Sequence, residues 1–185
     1  MKKLLLTLLF ILVLSGCEGI LDSGPDLPGK STHGKNTFGC KINGKVFVPK
    51  FHSVWHGDKA LYYYISNVTN SIEISAKNQN WNNDNSDCGG SWIELEFYYD
   101  TTNTISIATI KFDKCNESYQ KAKYKVYEGI IYSDLSKENH FEILRYDTVG
   151  TDIIFSGTFE ANIRSETGGS VDITKGRFDV KLDKE

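Results

Sequence analysis

The sequence predicts an all-β domain, an antiparallel β-sandwich or flattened β-barrel of about ten strands joined mostly as hairpins. Three observations carry this expectation. Apolar and polar residues alternate through most of residues 37–185, and clusters of Gly, Asn, Asp and Ser interrupt the alternation at short intervals. Only the polar stretch 116–122 is a helix candidate, and its helical pattern is weak.

Residues 38–42 and 45–48 alternate on either side of Asn43-Gly44. That pair favours a type I′ hairpin turn because both positions accept positive φ at low cost. Pro49 has no N–H to give to a ladder, so the second strand must lie at an edge or stop there. Further strands are expected at 60–66, 71–76, 91–99, 104–112, 123–132, 140–147, 152–164 and 170–182. In the last pair, Ile153, Phe155, Phe159, Ala161 and Ile163 share a parity and hence one face. Val171 and Ile173 continue that inward set after the turn at 167–169, but Phe178, Val180 and Leu182 have the opposite parity. A period of two slips only by an inserted residue, which places a β-bulge near Gly176.

Ahead of the domain stand Lys2 and Lys3, an apolar run at 4–14, and then Ser15-Gly16-Cys17. The run is too short to cross a bilayer of about 30 Å. Charge, apolar length, small residues and the cysteine position together form a lipoprotein signal; the alternative is an ordinary signal peptide with a chance cysteine. Residues 1–16 are then the signal peptide, and Cys17 is the lipid attachment site. Processing of that kind implies several acyl chains on Cys17, enough for permanent anchoring. Residues 18–36 are polar, Gly- and Pro-containing and poor in large apolar side chains, so 17–36 is expected to be a flexible tether spanning about 25 Å. Residues 37–185 form a single domain. Loss of Lys2 and Lys3 takes the formal charge from −3 to −5, which gives no electrostatic case for a nucleic-acid partner.

With Cys17 lipidated, Cys40, Cys88 and Cys115 remain, in a compartment where disulfides persist. A turn centred on Thr101-Thr102 would set Cys88 directly across from Cys115 at the open end of a hairpin, at a separation that suits a bridge. Cys40 is then a buried small hydrophobe. All three cysteines reduced, or Cys40 in the bridge, are the alternatives.

Motifs for metal or catalysis are thin. In the loop at 80–87, Asn83, Asn85 and Asp87 with Glu94 follow the calcium-loop spacing, but Cys88 stands where glycine is required. His52 and His56 on a strand would lie some 13 Å apart, too far to share a metal. No nucleophile elbow, zinc-protease helix or phosphate-cradling loop is present, and no motif calls for a cofactor. Carboxylates such as Glu94, Glu96, Asp113, Glu128, Glu142 and Glu160 alternate outward on strands as a solvated face. A hydrolase built on two of them is the least favoured reading. Aromatic residues offer more. Trp55, Trp81, Trp92, Tyr63 and Tyr99 are the candidate ligand-binding residues; alternation turns some of the aromatics outward, Tyr63 and Tyr99 or their neighbours, where flat amphipathic rings suit glycan or protein partners.

The opening at 37–49 with Asn43-Gly44, the ending around Phe155-Ser156-Gly157 and Gly176-Arg177-Phe178, and the cysteine-terminated leader resemble a group of small uncharacterised lipoproteins of Bacteroidetes-type bacteria, classed as a domain of unknown function. The resemblance implies an outer-membrane location, on the periplasmic or the surface-exposed face. It also implies O-glycosylation at Thr101 and Thr148, within Asp100-Thr101-Thr102 and Asp147-Thr148-Val149, while assigning no catalytic residue. The expected function is a lipid-anchored envelope module that binds a glycan or an envelope protein. The alternative is a structural or assembly accessory of an envelope complex.

Overall fold

The computed structural model of the chain describes residues 26–50, 60–78, 90–102, 104–116 and 123–183. Among these it contains no helix and ten strands: β1 (Thr37–Ile42), β2 (Lys45–Phe47), β3 (Leu61–Ser66), β4 (Ser71–Asn78), β5 (Ser91–Tyr99), β6 (Ile105–Asn116), β7 (Lys123–Tyr132), β8 (His140–Val149), β9 (Asp152–Arg164) and β10 (Ser170–Asp183). They form one mostly antiparallel sheet in the order β2-β1-β10-β9-β8-β7-β6-β5-β4-β3. The helix candidate at 116–122 is corrected at its first residue, since Asn116 closes β6; residues 117–122 lie outside the described residues.

The sheet bends over where β8 reaches β7. These two strands share only the parallel pair Tyr132↔His140, while the end of β9 meets β7 at Glu128↔Arg164. The strands on either side of this corner form two leaves that face each other across an aromatic core. Phe97 of β5 lies 5.3, 5.1 and 5.2 Å from Phe141, Phe155 and Phe178 of the opposite leaf. Phe47 of β2 lies 6.4 Å from Phe112 of β6. All eight phenylalanines among the described residues are fully buried, so rings crossing between the leaves dominate the core. Burying each contributes about 1.5–3 kcal/mol. Opposite the corner the sheet edges do not zip into a closed barrel. They touch where Lys50 N–H donates to the Lys77 carbonyl at 3.0 Å and Asn78 Nδ2 donates to the Val48 carbonyl at 2.8 Å. A seam remains between β1 and β3.

Local sequence explains the regular parts. Asn43 and Gly44 take φ of 49° and 81°, as a type I′ turn requires. β2 is an edge strand that ends before Pro49. The bulge expected near Gly176 is present: pairing shifts between Ile173↔Ala161 and Gly176↔Phe159, and Lys175 takes a φ of 53°. Gly176 is needed there because a Cβ would sit 2.5 Å from the Phe159 carbonyl oxygen.

Two expectations change. Residues 26–36 fall within the stretch read as a flexible tether, yet they run as a strap across the outer face of the β1–β10–β9–β8 leaf. The Asp179 carboxylate accepts N–H bonds from His33, Gly34 and Lys35 at 3.2, 2.8 and 3.0 Å. Arg177 Nη1 donates to the Pro28 carbonyl, and Arg145 Nη1 to that of Thr32. Pro28 comes so close to Gly39 that a Cβ there would meet it at 2.7 Å. Residues 26–36 therefore belong to the folded body. The second change is register. The turn after β5 runs from Asp100 to Thr104, closed by Asp100 N–H to the Thr104 carbonyl, and pairing shifts between Tyr98↔Ile107 and Tyr99↔Ile105. Asp113, not Lys111, consequently lies opposite Trp92.

Candidate functional site

Strand pairing settles which tyrosines face outward. Ile72, Ile74 and Ala76 of β4 point into the core, and Tyr63 pairs with Ile74, so Tyr63 turns inward. Phe97 is buried, which by alternation turns Tyr98 out and Tyr99 in. Tyr63 and Tyr99 are partly buried against the core, which corrects their place as candidate binding rings and leaves the other alternative, their neighbours. The outward rings are their neighbours Tyr62, Tyr64 and Tyr98, which are 43%, 52% and 36% exposed.

These rings stand on the outer face of β3–β7 among carboxylates. One cross-strand row runs Tyr64, Glu73, Glu96, Thr109, Ile130, and the next runs Tyr62, Ser75, Glu94, Lys111, Glu128. Glu73 and Glu96 lie directly opposite each other, where two negative charges repel unless donors separate them. Tyr64 supplies its hydroxyl to Glu73. Glu96 accepts from Tyr98 at 2.7 Å and from Ser71 at 2.8 Å. The rings of Tyr64 and Tyr98 are thereby fixed on a rigid sheet. Their two phenols are hard to ionise in consequence: donation to Glu73, with burial and the neighbouring carboxylates, pushes Tyr64 up to about 12. Donation to Glu96 is the main cause of the rise at Tyr98.

Burial is also the first cause of the raised pKa of Glu94 and of Asp113, opposed in both by Lys111. Asp113 is almost fully buried, with Lys111 Nζ 3.7 Å from one carboxylate oxygen. Trp92, half-buried, sits opposite Asp113 on the same face.

A second feature is the seam cleft, of about 650 Å³. Phe38, Val48, Pro49, Leu61 and Tyr63 line it, with Asp26 and Pro28 of the strap. A smaller crevice lies under the strap beside Gly157 and Asp179. Neither contains two carboxylates among the described residues, and the half-buried Glu73 and Glu96 line neither of them. The described residues hold no group of three or more His, Cys, Asp and Glu side chains placed for a metal ion.

The remaining sequence-predicted residues divide as follows. Cys17, Trp55, Trp81, Cys88, His52, His56 and the loop at 80–87 lie outside the described residues. Cys115 pairs with Tyr124 of β7 through its backbone, and the β5–β6 register of the described residues differs by two residues from the one that places Cys88 across from Cys115. Cys40 is free and fully buried, its thiol pKa pushed up by burial. Thr101 is exposed in the β5–β6 turn, and Thr148 is exposed near the end of β8. Sequence reasoning missed the cleft, whose walls come from the strap, β1, the end of β2 and β3, and no local pattern announces such a meeting. Compared with protein families, with curated proteins and with solved structures, this chain matches none.

Proposed function

We propose that the protein is a lipid-anchored module of the cell envelope, held at the outer membrane through Cys17, that binds glycan with the outer face of β3–β7. The observation that carries this reading is the Tyr62, Tyr64 and Tyr98 array set beside Glu73 and Glu96. A sugar presents apolar C–H faces that pack on such rings and hydroxyls that donate to carboxylates. The Tyr64 and Tyr98 side chains are already ordered by their hydrogen bonds, so little of their conformational freedom is lost on binding. The leader ending at Cys17 and the resemblance to Bacteroidetes-type lipoproteins support the location. They also support O-glycosylation at Thr101 and Thr148, both of which are exposed. A Cys88–Cys115 bridge belongs to the same proposal, resting now on the oxidising compartment alone.

One observation favours a protein partner in an assembly role. Ile107, Ile130 and Tyr132 are exposed next to Tyr98 and extend the face with apolar surface. A glycan array probed with the purified full chain separates the two. Saturable binding that drops at least tenfold in Tyr64→Ala supports the glycan reading. No glycan signal, together with a stoichiometric envelope protein lost on Ile130→Asp, supports the accessory role.

A further inference from the structure

The seam cleft has a different chemistry from the tyrosine–carboxylate face. Its volume of about 650 Å³ falls within the roughly 300–1,000 Å³ of small-molecule sites. One wall is apolar, from Val48, Pro49, Ala60, Leu61 and the ring of Tyr63, with Phe38 behind. Among the described residues its polar side chains, Asp26, Asn36 and Thr37, come from the strap and its junction with β1. A lining of that kind gains by removing apolar surface from water and offers few partners to a sugar.

Chain length fixes where this cleft is held. Asp26, in the cleft lining, is nine residues after Cys17. A segment of that length reaches about 30 Å at full extension and about 17 Å as a coil. The tether does not lengthen by peeling away residues 26–36, because Asp179, Arg177 and Arg145 hold the strap to the sheet. A lipid-anchored Cys17 therefore keeps the cleft within about 30 Å of the membrane surface. We propose that the seam cleft takes an acyl chain of a phospholipid from the leaflet that anchors the protein. The inference rests on the lipid-anchor reading of Cys17 and is independent of glycan binding.

The test uses the full processed chain in phosphatidylethanolamine–phosphatidylglycerol vesicles doped with a phosphatidylethanolamine that carries a diazirine in one acyl chain. Vesicles are floated, irradiated, and the crosslinked residues mapped. The protein floats, and crosslinks concentrate on Val48, Leu61 and Tyr63. They fall at least fivefold both in Leu61→Trp, which fills the cleft without burying a charge, and in Pro49→Glu. Flotation with crosslinks confined to residues 17–25, or with cleft crosslinks unchanged in both variants, overturns the cleft as the seat of the chain. Failure to float overturns the anchor reading and this inference together.

Discussion

Replacing Asp179 with alanine should release the strap while leaving the sheet folded. Asp179 is almost fully buried on the outer side of β10 and accepts three backbone N–H groups, from His33, Gly34 and Lys35. Hydrogen bonds to a charged group contribute about 1.5–3 kcal/mol each. The freed amides regain water once the strap lifts, and burying the carboxylate has its own cost, so the net loss is about 2–3 kcal/mol, well below the sum of three bonds. For a domain of this size that lowers Tm by roughly 4–12 °C. Amide exchange is the sharper assay: the three amides should exchange about thirtyfold faster or more, while those of β4–β6 keep their protection. The pH dependence has a definite sign. Burial alone would raise the Asp179 pKa, but the N–H donors outweigh it and hold the group below its ordinary value of 3.8. Its contribution is complete above that value and is lost as pH falls through the lower, folded-state pKa. The strap therefore stays docked at neutral and mildly acidic pH and opens only in strong acid. Unchanged exchange at residues 33–35 in Asp179→Ala, or strap release that begins near pH 6, would refute the reasoning.

Phe97→Ala should cost about 3–5 kcal/mol in urea unfolding, since Phe97 meets Phe141, Phe155 and Phe178 across the core; a loss under 1 kcal/mol would contradict that packing. In ultraviolet titration Tyr64 should ionise only near 12 and move down towards 10 in Glu73→Gln; no movement would show that Glu73 does not hold its proton. Peptide mapping of envelope-extracted protein should find Cys40 unmodified and inaccessible to alkylation until unfolding, and should join Cys88 to Cys115. A bridge that includes Cys40 would contradict its burial as a free thiol.

Legibility in the sequence followed how local each determinant is. The Asn43-Gly44 turn and the parity slip before Phe178 are local signals, and the hairpin and bulge stand where those signals put them. Strands 91–99, 123–132 and 152–164 recur with the same bounds because turn residues flank alternating runs. Tyr62, Tyr63 and Tyr64 carry no alternation among themselves, so which of them face outward depends on pairing with Ile74 across β4. The β5–β6 register was missed because Asp100 gathers the Thr102 and Thr104 amides at 2.8 and 2.9 Å, closing a longer turn than its tip residues imply. The strap was illegible for another reason. Its docking uses backbone amides and carbonyls on Asp179, Arg177 and Arg145, so its own side chains have no apolar period to read.

Glycan binding as proposed requires the outer face of β3–β7 to be covered in the native envelope. Hydroxyl-radical footprinting of the full chain in intact envelopes, compared with the purified protein, reads this residue by residue. Tyr62, Tyr64 and Tyr98 are predicted to be protected in envelopes and to regain reactivity after glycosidase treatment. Rings that react equally in envelopes and in isolation would contradict the assignment of this face as the binding surface.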